Sequence, residues 1–230
     1  MAKPVDNPAD ILTDHPEVIA LLVASEALLE GHFRFSHGHH SSIRIEMNRV
    51  FKDPAAIRLV AKLLAEPIAR EFSPWSVDGF VGPATWGEGL ACEIAAFLTQ
   101  EWKKPMMALK ACLSSGGWVL SPPMPKELAG RNLMVVDDVF TTGQTINEVL
   151  ALVRARGAVV RRALVVVNRC QSSPLEQVDD LQAVVALCNA KVDNWEEADC
   201  PFCRAGIALD EIGEIDEITG EGAFGTGAGP

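Results

Sequence analysis

The chain has 230 residues, of which 48% are hydrophobic and 22% charged, and its formal net charge at pH 7 is −11. This length and composition suffice for one main domain with a sizeable core and short appendages. The negative charge disfavours nucleic acid and anionic lipid as partners, because binding to both depends on basic clusters. The sequence contains neither an apolar run of about 18 residues nor a recognisable secretory signal, so we expect a cytoplasmic protein that binds no membrane.

Helical and strand-like segments alternate along the chain, which predicts an α/β fold with a mostly parallel sheet flanked by helices. Asp53 and Pro54 are typical of a helix start, and apolar residues recur at helical spacing from there to Ile68. The other predicted helices cover residues 16–29, 87–102 and 144–156. The predicted strands cover residues 42–47, 77–81, 106–109, 133–136, 159–167 and 181–188. Residues 111–126 contain serines, glycines and prolines, and we expect a long exposed loop there.

Acidic and hydroxyl side chains follow directly after the buried strand predicted over residues 133–136. Asp137 and Asp138 come first, and the turn from Thr141 to Thr145 leads into the next helix. Ligands of parallel sheets bind beyond the carboxyl ends of the strands, and backbone N–H groups at a helix N-terminus favour phosphate. The threonines of the turn add hydroxyl donors, and Gly143 lets the backbone approach a ligand closely. The segment therefore predicts a phosphate site beside two carboxylates.

The two carboxylates need a partner other than phosphate, because two acids facing a phosphate would repel it. The hydroxyls of a ribose satisfy them, so the segment is predicted to bind a ribose 5-phosphate ester. Sugar transfer at the anomeric carbon builds positive charge in an oxocarbenium-like transition state, which a nearby carboxylate stabilises. The simpler interpretation is a capped helix after an ordinary turn. A P-loop and a dinucleotide fingerprint are both excluded, since their glycine and lysine patterns do not occur here.

Four segments carry a resemblance to a known family. The central one resembles the phosphoribosyl pyrophosphate motif of type I phosphoribosyltransferases, and it reads Val135-Val136-Asp137-Asp138-Val139-Phe140-Thr141-Thr142-Gly143. Two more, Gly31 to Ser41 and Gly82 to Gly87, are similar to the N-terminal segment and the pyrophosphate loop of orotate phosphoribosyltransferases. The ending from Asp199 to Gly206, with Cys200-Pro201-Phe202-Cys203, resembles the C-terminal segment of a longer-tailed branch of that family.

This resemblance implies a phosphoribosyltransferase fold with a small hood built from both ends of the chain. The implied division is an N-terminal hood segment over residues 1–50, a phosphoribosyltransferase core over 51–190 and a C-terminal CPFC segment over 191–209. Residues 210–230 form an acidic, glycine-rich tail that we expect to be disordered. The resemblance also implies a homodimer in which the loop of one subunit completes the site of the other.

The resemblance implies an enzyme that transfers ribose 5-phosphate from phosphoribosyl pyrophosphate to a nucleobase, most simply orotate. Asp137 and Asp138 would hold the ribose hydroxyls, and Asp138 would also act in catalysis. The phosphate would be held by Thr141, Thr142, Gly143, Gln144 and Thr145, and the pyrophosphate by Gly82, Pro83, Ala84 and Thr85, with Mg²⁺ bridging pyrophosphate and ribose. Arg169 falls where the family places an arginine against the base, and Lys110 falls near its pyrophosphate-contacting cation.

The sequence departs from the family at the catalytic loop, which usually supplies further Lys, Arg or His. Leu109, Leu113, Ser114 and Ser115 stand at those positions, and Trp86 stands where many members have a lysine. Lys126 or Arg131 are candidates to compensate. Two other functions therefore stay open: transfer to a purine or another base, and a non-catalytic regulator that binds phosphoribosyl pyrophosphate.

Histidines and cysteines near the two ends of the chain are candidate metal ligands, but their spacing does not predict a metal site. For His32, His37, His39 and His40 a surface or substrate-edge role is favoured, because adjacent His39 and His40 point in opposite directions in an extended chain. Cys200 and Cys203 form a C-x-x-C, but a structural zinc needs four ligands and distant Cys170 or Cys188 would have to complete the set. A reduced turn or a reversible disulfide is therefore preferred, and no protein-bound metal is predicted.

Overall fold

The computed structural model describes residues 2–35, 38–84, 86–121, 128–170 and 172–210. The strands are β1 (Lys3–Pro4), β2 (Leu12–Asp14), β3 (Leu28–Arg34), β4 (His40–Ile45), β5 (Gly79–Pro83), β6 (Met107–Ser114), β7 (Gly117–Leu120), β8 (Asn132–Phe140), β9 (Val159–Asn168) and β10 (Ala183–Ala190). The α-helices are α1 (Pro16–Ala24), α2 (Met47–Phe51), α3 (Pro54–Glu71), α4 (Trp86–Trp102), α5 (Gln144–Arg154) and α6 (Pro201–Arg204).

Seven strands form the large sheet in the order β2-β10-β9-β8-β5-β6-β7. The five inner strands from β10 to β6 are parallel, and the edge strands β2 and β7 are antiparallel to their neighbours. The predicted α/β fold with a mostly parallel sheet is thus confirmed. The direction of strand addition reverses between β5 and β8, and open parallel sheets bind ligands at such a switch point.

The large sheet separates two layers of core side chains. Along β8, Met134 and Val136 pack towards α3 and α4, whereas Leu133 and Val135 pack towards α5. This alternation follows from the two-residue period of a strand, and burial on both faces explains the nearly continuous apolar sequence of β8 and β9. The two core layers fix the sheet between its helices, so the carboxyl ends of the parallel strands are held in place.

The start of α3 confirms the helix boundary predicted from Asp53 and Pro54. The Asp53 carboxylate accepts a hydrogen bond from the Ala55 backbone N–H at 2.8 Å, which satisfies one of the N–H groups that a helix start leaves without an intrahelical acceptor. The apolar residues Val60, Leu64 and Ile68 are buried against the sheet, as their helical spacing indicates.

Several predicted elements differ in extent, two of them strongly. The helix predicted over residues 16–29 ends at Ala24, and Leu28 and Leu29 belong to β3, where they pair with Ile45 and Arg44 of β4. The loop predicted over residues 111–126 is a β-hairpin as far as Leu120, formed by β6 and β7. Residues 122–127 lie outside the described residues, as does the tail from residue 211 onward.

A second, three-stranded antiparallel sheet has the order β1-β3-β4. The C-terminal segment packs on it: the backbones of His40 and Trp195 exchange two hydrogen bonds of 2.8 Å, and the Asp210 backbone N–H donates to the His32 carbonyl. The sheet β1-β3-β4 is called the hood sheet below, because it and the C-terminal segment correspond to the hood predicted from both ends of the chain. The first 50 residues also supply β2 to the large sheet. No helix in the described ranges is both long and apolar enough to span a membrane.

Candidate functional site

A cavity of about 580 Å³ lies at the switch point, beyond the carboxyl ends of β5 and β8. Its volume falls in the range that small-molecule sites occupy. The predicted site residues that line it are Pro83, Ala84, Asp137, Asp138, Thr141, Thr142, Gly143, Gln144, Thr145 and Arg169. Gly82 and Lys110 are not among its described lining, and Thr85 lies outside the described residues.

The two acids lie within β8 near its carboxyl end, because the strand continues to Phe140 and does not stop at residue 136 as predicted. Asp137 is buried, with 9% of its surface exposed, and its Oδ1 accepts a hydrogen bond of 2.9 Å from the Asp138 backbone N–H. The Oδ1 of Asp138 accepts in turn from the Val139 backbone N–H at 2.7 Å. Local backbone donors therefore orient both carboxylates, and both side chains contribute to the cavity wall.

The turn from Thr141 to Thr145 connects β8 to α5 and requires a glycine at its centre. Gly143 precedes the first helical residue with φ of 76°, a conformation that residues with a Cβ rarely adopt. A Cβ there would also lie 2.9 Å from the Gln177 carbonyl oxygen. The first N–H groups of α5 follow directly, and helix geometry leaves them without intrahelical acceptors. These donors and the threonine hydroxyls together make the turn suitable for a phosphate.

The turn after β5 is held tightly against α4. A Cβ on Gly82 would lie 2.0 Å from the Gly87 backbone, so this strand and helix approach as closely as glycine permits. Pro83 has no N–H group, and the N–H of Ala84 donates to the Ala111 carbonyl at 2.6 Å. Neither residue therefore presents a free backbone donor to the cavity, and the pyrophosphate role of this turn stays a prediction. Both still contribute to its wall.

The cations around the cavity are engaged with protein groups. The Lys110 ammonium lies 2.8 Å from the Glu88 carboxylate, and this hydrogen bond raises the pKa of Lys110, so the ammonium stays charged at neutral pH. Arg44, which sequence analysis missed, lines the cavity and forms an ion pair with Glu46. Arg131 pairs with Asp78. Because Asp78 directly precedes β5, this pair lies at the amino ends of the parallel strands, away from the cavity at their carboxyl ends.

Arg169 directly follows β9 and is buried, with 2% of its surface exposed. Its Nη2 donates to Ser41 Oγ at 3.1 Å and to Asn194 Oδ1 at 2.9 Å. Its guanidinium lies 4.4 Å from the centroid of the Phe35 ring. The hood sheet and the C-terminal segment thus hold this guanidinium at the cavity wall. Ser41, Asn194 and Phe35 were not predicted as site residues, because their positions depend on contacts distant in sequence.

The hairpin of β6 and β7 forms the wall of the cavity next to α5. Its residues Leu113, Gly117 and Trp118 line the cavity, and the Trp118 indole N–H donates to the Glu148 carboxylate of α5 at 2.7 Å. Trp86, at the position where the family often has a lysine, also lines the cavity and donates to Asn48. Two tryptophans therefore contribute to the cavity wall, and one of them, Trp86, stands where the family often has a lysine.

A second group of functional side chains lies in the hood. His32, His40, Cys200 and Cys203 each place a ligand atom within 4.8 Å of the others. Cys170 and Cys188 are not part of this group; two histidines of adjacent strands lie beside the C-x-x-C instead. His39 lies in the turn before β4 and is not part of the group, and His37 lies outside the described residues.

Comparisons with known proteins place the chain among phosphoribosyltransferases. The family model described as phosphoribosyl transferase domain matches residues 46–197. An orotate phosphoribosyltransferase of Pelotomaculum thermopropionicum is 31% identical over 196 residues, covering 83% of this chain and 93% of the relative. One of Thermotoga maritima is 28% identical over 198 residues, covering 84% of this chain and 95% of the relative.

Among solved structures, the orotate phosphoribosyltransferase of Aeropyrum pernix matches with a TM-score of 0.53 and 27% identity. The match covers 73% of this chain and 90% of that one. The residues matched by the family model include β8, which carries Asp137 and Asp138.

Proposed function

The chain belongs to the phosphoribosyl transferase domain family, and we propose that it transfers ribose 5-phosphate from phosphoribosyl pyrophosphate to orotate. The observation that carries this proposal is the end of β8, where two oriented carboxylates and a glycine-centred threonine turn face one cavity. The orotate phosphoribosyltransferases among the relatives support the choice of base.

The donor would lie along the β8 end of the cavity. Its 5-phosphate would accept from the backbone N–H groups and hydroxyls of the turn from Thr141 to Thr145, where α5 begins. Asp137 and Asp138 would accept hydrogen bonds from the two ribose hydroxyls. The ribose links these hydroxyls to the 5-phosphate, so the acids and the turn would bind the two ends of one sugar phosphate.

The carboxylates also fit a hard divalent cation. Mg²⁺ prefers oxygen ligands, retains several waters and is commonly bound through substrate phosphates with one or two carboxylates. Asp137 and Asp138 are the residues that would hold it with the donor, where it would neutralise the charge of the pyrophosphate. With Mg²⁺ held there, the two acids and the donor phosphates would no longer repel one another.

The base would lie at the opposite wall, beside Arg169. Orotate carries a carboxylate, and a guanidinium recognises a carboxylate through charge-assisted hydrogen bonds. Ser41 and Asn194 fix Arg169 from behind, so the orientation of the guanidinium is set before the base binds. This preorganisation reduces the entropy lost when orotate is bound.

The transfer step needs charge stabilisation at two places. Asp138, at the ribose, would stabilise the positive charge that develops at the anomeric carbon. Lys110 would stabilise the pyrophosphate that departs, but only after its ammonium exchanges Glu88 for the phosphate. Closure of the β6–β7 hairpin would bring this group inward and exclude water.

One observation favours a second function, that of a phosphoribosyl pyrophosphate-binding regulator. Among the described residues that line the cavity, the cations are Arg44 and Arg169, and each is already engaged by protein groups. Departure of pyrophosphate without a nearby cation is slow, whereas binding through the β8 turn is unaffected. In an enzyme, the loop of a partner subunit in a homodimer would supply the missing charge. Transfer to a purine base is the third function to be tested.

Pyrophosphate release measured with Mg²⁺, phosphoribosyl pyrophosphate and a panel of bases separates the three functions. The proposal predicts release with orotate and little with adenine, guanine, hypoxanthine or uracil. Release with a purine in preference to orotate would reassign the base. Donor binding without release from any base would identify a regulator.

Three further features belong to the proposal: a cytoplasmic location, a homodimer, and the division into hood, core and CPFC segment at residues 50, 190 and 209. The dimer is testable by light scattering, and the division by limited proteolysis.

A further inference from the structure

We propose that His32, His40, Cys200 and Cys203 form a structural Zn²⁺ site that fastens the C-terminal segment to the hood sheet. His32 lies on β3 and His40 on β4, while Cys200 directly precedes α6 and Cys203 lies within it. None of the four lines the cavity at the end of β8. The site is therefore separate from the proposed transfer chemistry and from the Mg²⁺ that would accompany the donor.

The spacing of the four ligand atoms fits a tetrahedral zinc. Nitrogen and sulfur ligands about 2.0 and 2.3 Å from a shared Zn²⁺ lie about 3.3–3.8 Å from one another. His32 Nε2 lies 2.9 Å from His40 Nδ1, 3.4 Å from Cys200 Sγ and 3.6 Å from Cys203 Sγ. Cys203 Sγ lies 3.3 Å from His40 Nδ1. Small outward shifts of the two imidazoles complete the coordination polyhedron.

Hydrogen bonding alone does not account for this convergence. His32 Nδ1 lies 2.9 Å from the Ile207 carbonyl oxygen, and a carbonyl only accepts, so the proton of His32 is on Nδ1 and Nε2 has one lone pair. Three groups, namely the His40 ring and the two thiols, approach that single lone pair. It accepts from one of them at a time. A cation at the centre engages all four ligand atoms together.

The surroundings also match those of a structural metal site. His32, His40 and Cys200 are buried, with exposures of 2%, 2% and 0%. The bond from His32 Nδ1 to a backbone carbonyl orients a histidine ligand and fixes its tautomer, as partners of metal-bound histidines do. The Phe202 ring stacks on His32 with centroids 5.3 Å apart, which excludes water from one side.

The donor set selects zinc over the other common cations. Two thiolates and two imidazoles are soft to borderline ligands, which suit Zn²⁺ and do not suit Mg²⁺ or Ca²⁺. A C-x-x-C with two histidines is a closed, four-coordinate set, so the metal would have no open position for a substrate. Its role is therefore to hold chain segments together.

The zinc site would also position the base pocket. Ser41 follows the ligand His40 and donates to the Asp193 carbonyl at 2.6 Å, while it accepts from Arg169. Trp195 pairs with the His40 backbone, and the neighbouring Asn194 accepts from Arg169. Loss of the metal should loosen both groups that hold Arg169. This consequence rests on the proposed function, whereas the presence of the metal does not.

The test is the metal content of the purified full chain, measured by plasma mass spectrometry after reconstitution with Zn²⁺ under reducing conditions and removal of unbound metal. We expect one zinc per chain, and loss of it in Cys203→Ser. Cys92→Ser, which removes an exposed cysteine of α4, should retain one zinc. Reconstitution with Co²⁺ should give the intense visible absorption of a tetrahedral thiolate site, a readout that needs no variant to fold.

Three outcomes would overturn the proposal: no zinc bound by the reduced wild-type chain, an octahedral Co²⁺ spectrum, or equal zinc content in Cys203→Ser and Cys92→Ser. A Cys200–Cys203 disulfide that persists under the reducing conditions would overturn it as well. Because these measurements need no turnover, they stand even if orotate is not the substrate. Zinc removal that raises the orotate KM several-fold would separately support the link to Arg169.

Discussion

Replacement of Arg169 by alanine tests where the base binds. In the proposed complex the guanidinium donates to the orotate carboxylate, and a hydrogen bond to a charged group contributes about 1.5–3 kcal/mol. Since about 1.4 kcal/mol corresponds to a tenfold change, Arg169→Ala should raise the KM for orotate by about 10- to 150-fold. The KM for phosphoribosyl pyrophosphate should change little, because the donor binds at the β8 end of the cavity.

The same substitution also removes the bonds from Arg169 to Ser41 and Asn194, so a matched control is needed. Arg162→Ala removes an arginine near the other end of β9, the strand that Arg169 follows; its side chain pairs with Glu71 at 3.0 Å and packs on Phe72. Steady-state kinetics of both variants, with melting curves to verify folding, isolate the effect. Equal increases in the two KM values, or an orotate effect of similar size in Arg162→Ala, would refute the assignment.

Three further predictions address the donor site and the scaffold. Lys110→Ala should lower kcat at least about tenfold with a smaller effect on donor affinity, because the lost interaction belongs to the transition state. Glu88→Gln, which keeps the ammonium, should retain turnover. An unchanged kcat in Lys110→Ala would contradict the role of Lys110. Thr142→Trp should abolish donor binding in equilibrium dialysis by filling the phosphate position, and retained binding would place the phosphate elsewhere. Asp53→Ala should lower the free energy of unfolding by about 0.5–2 kcal/mol in denaturant titrations, because the cap of α3 is lost; no change would show that the cap contributes nothing.

The parts of the fold that were predictable depend on local chemistry. The start of α3 follows from Asp53 and Pro54, and the β8 turn follows from acids, threonines and Gly143 in one continuous segment. The end of α1 and the start of β3 were not predictable, because the apolar residues before Leu29 suit a helix as well as a strand. Pairing of Leu28 with Ile45, distant in sequence, decides the outcome.

The β6–β7 hairpin is not evident from the sequence, because the serines and glycines from Ser114 to Gly117 are typical of a loop. The two strands pair across it with Ser114 opposite Gly117, so Ser115 and Gly116 form a two-residue connection of the kind that favours glycine. The alternation of Trp118 and Leu120 was the available signal for a strand. The prolines that follow Leu120 favour a loop instead.

The Zn²⁺ ligands illustrate what sequence spacing does not reveal. His32 and Cys200 are 168 residues apart, and their approach depends on the C-terminal segment folding back over β3 and β4. The C-x-x-C gave half of the set, and two histidines on adjacent strands gave the other half. Neither pair alone is a complete set of zinc ligands, so the sequence predicts no metal.

Calorimetric titration with phosphoribosyl pyrophosphate in the presence of Mg²⁺ tests the central claim most directly. The end of β8 is the feature on which every proposed role depends, so the wild-type chain should bind one donor molecule per site. Joint replacement of Asp137 and Asp138 by asparagine, which keeps their size and removes their charge, should abolish Mg²⁺-dependent binding. A wild-type chain that does not bind the donor, or a double variant that binds it equally well, would contradict the account.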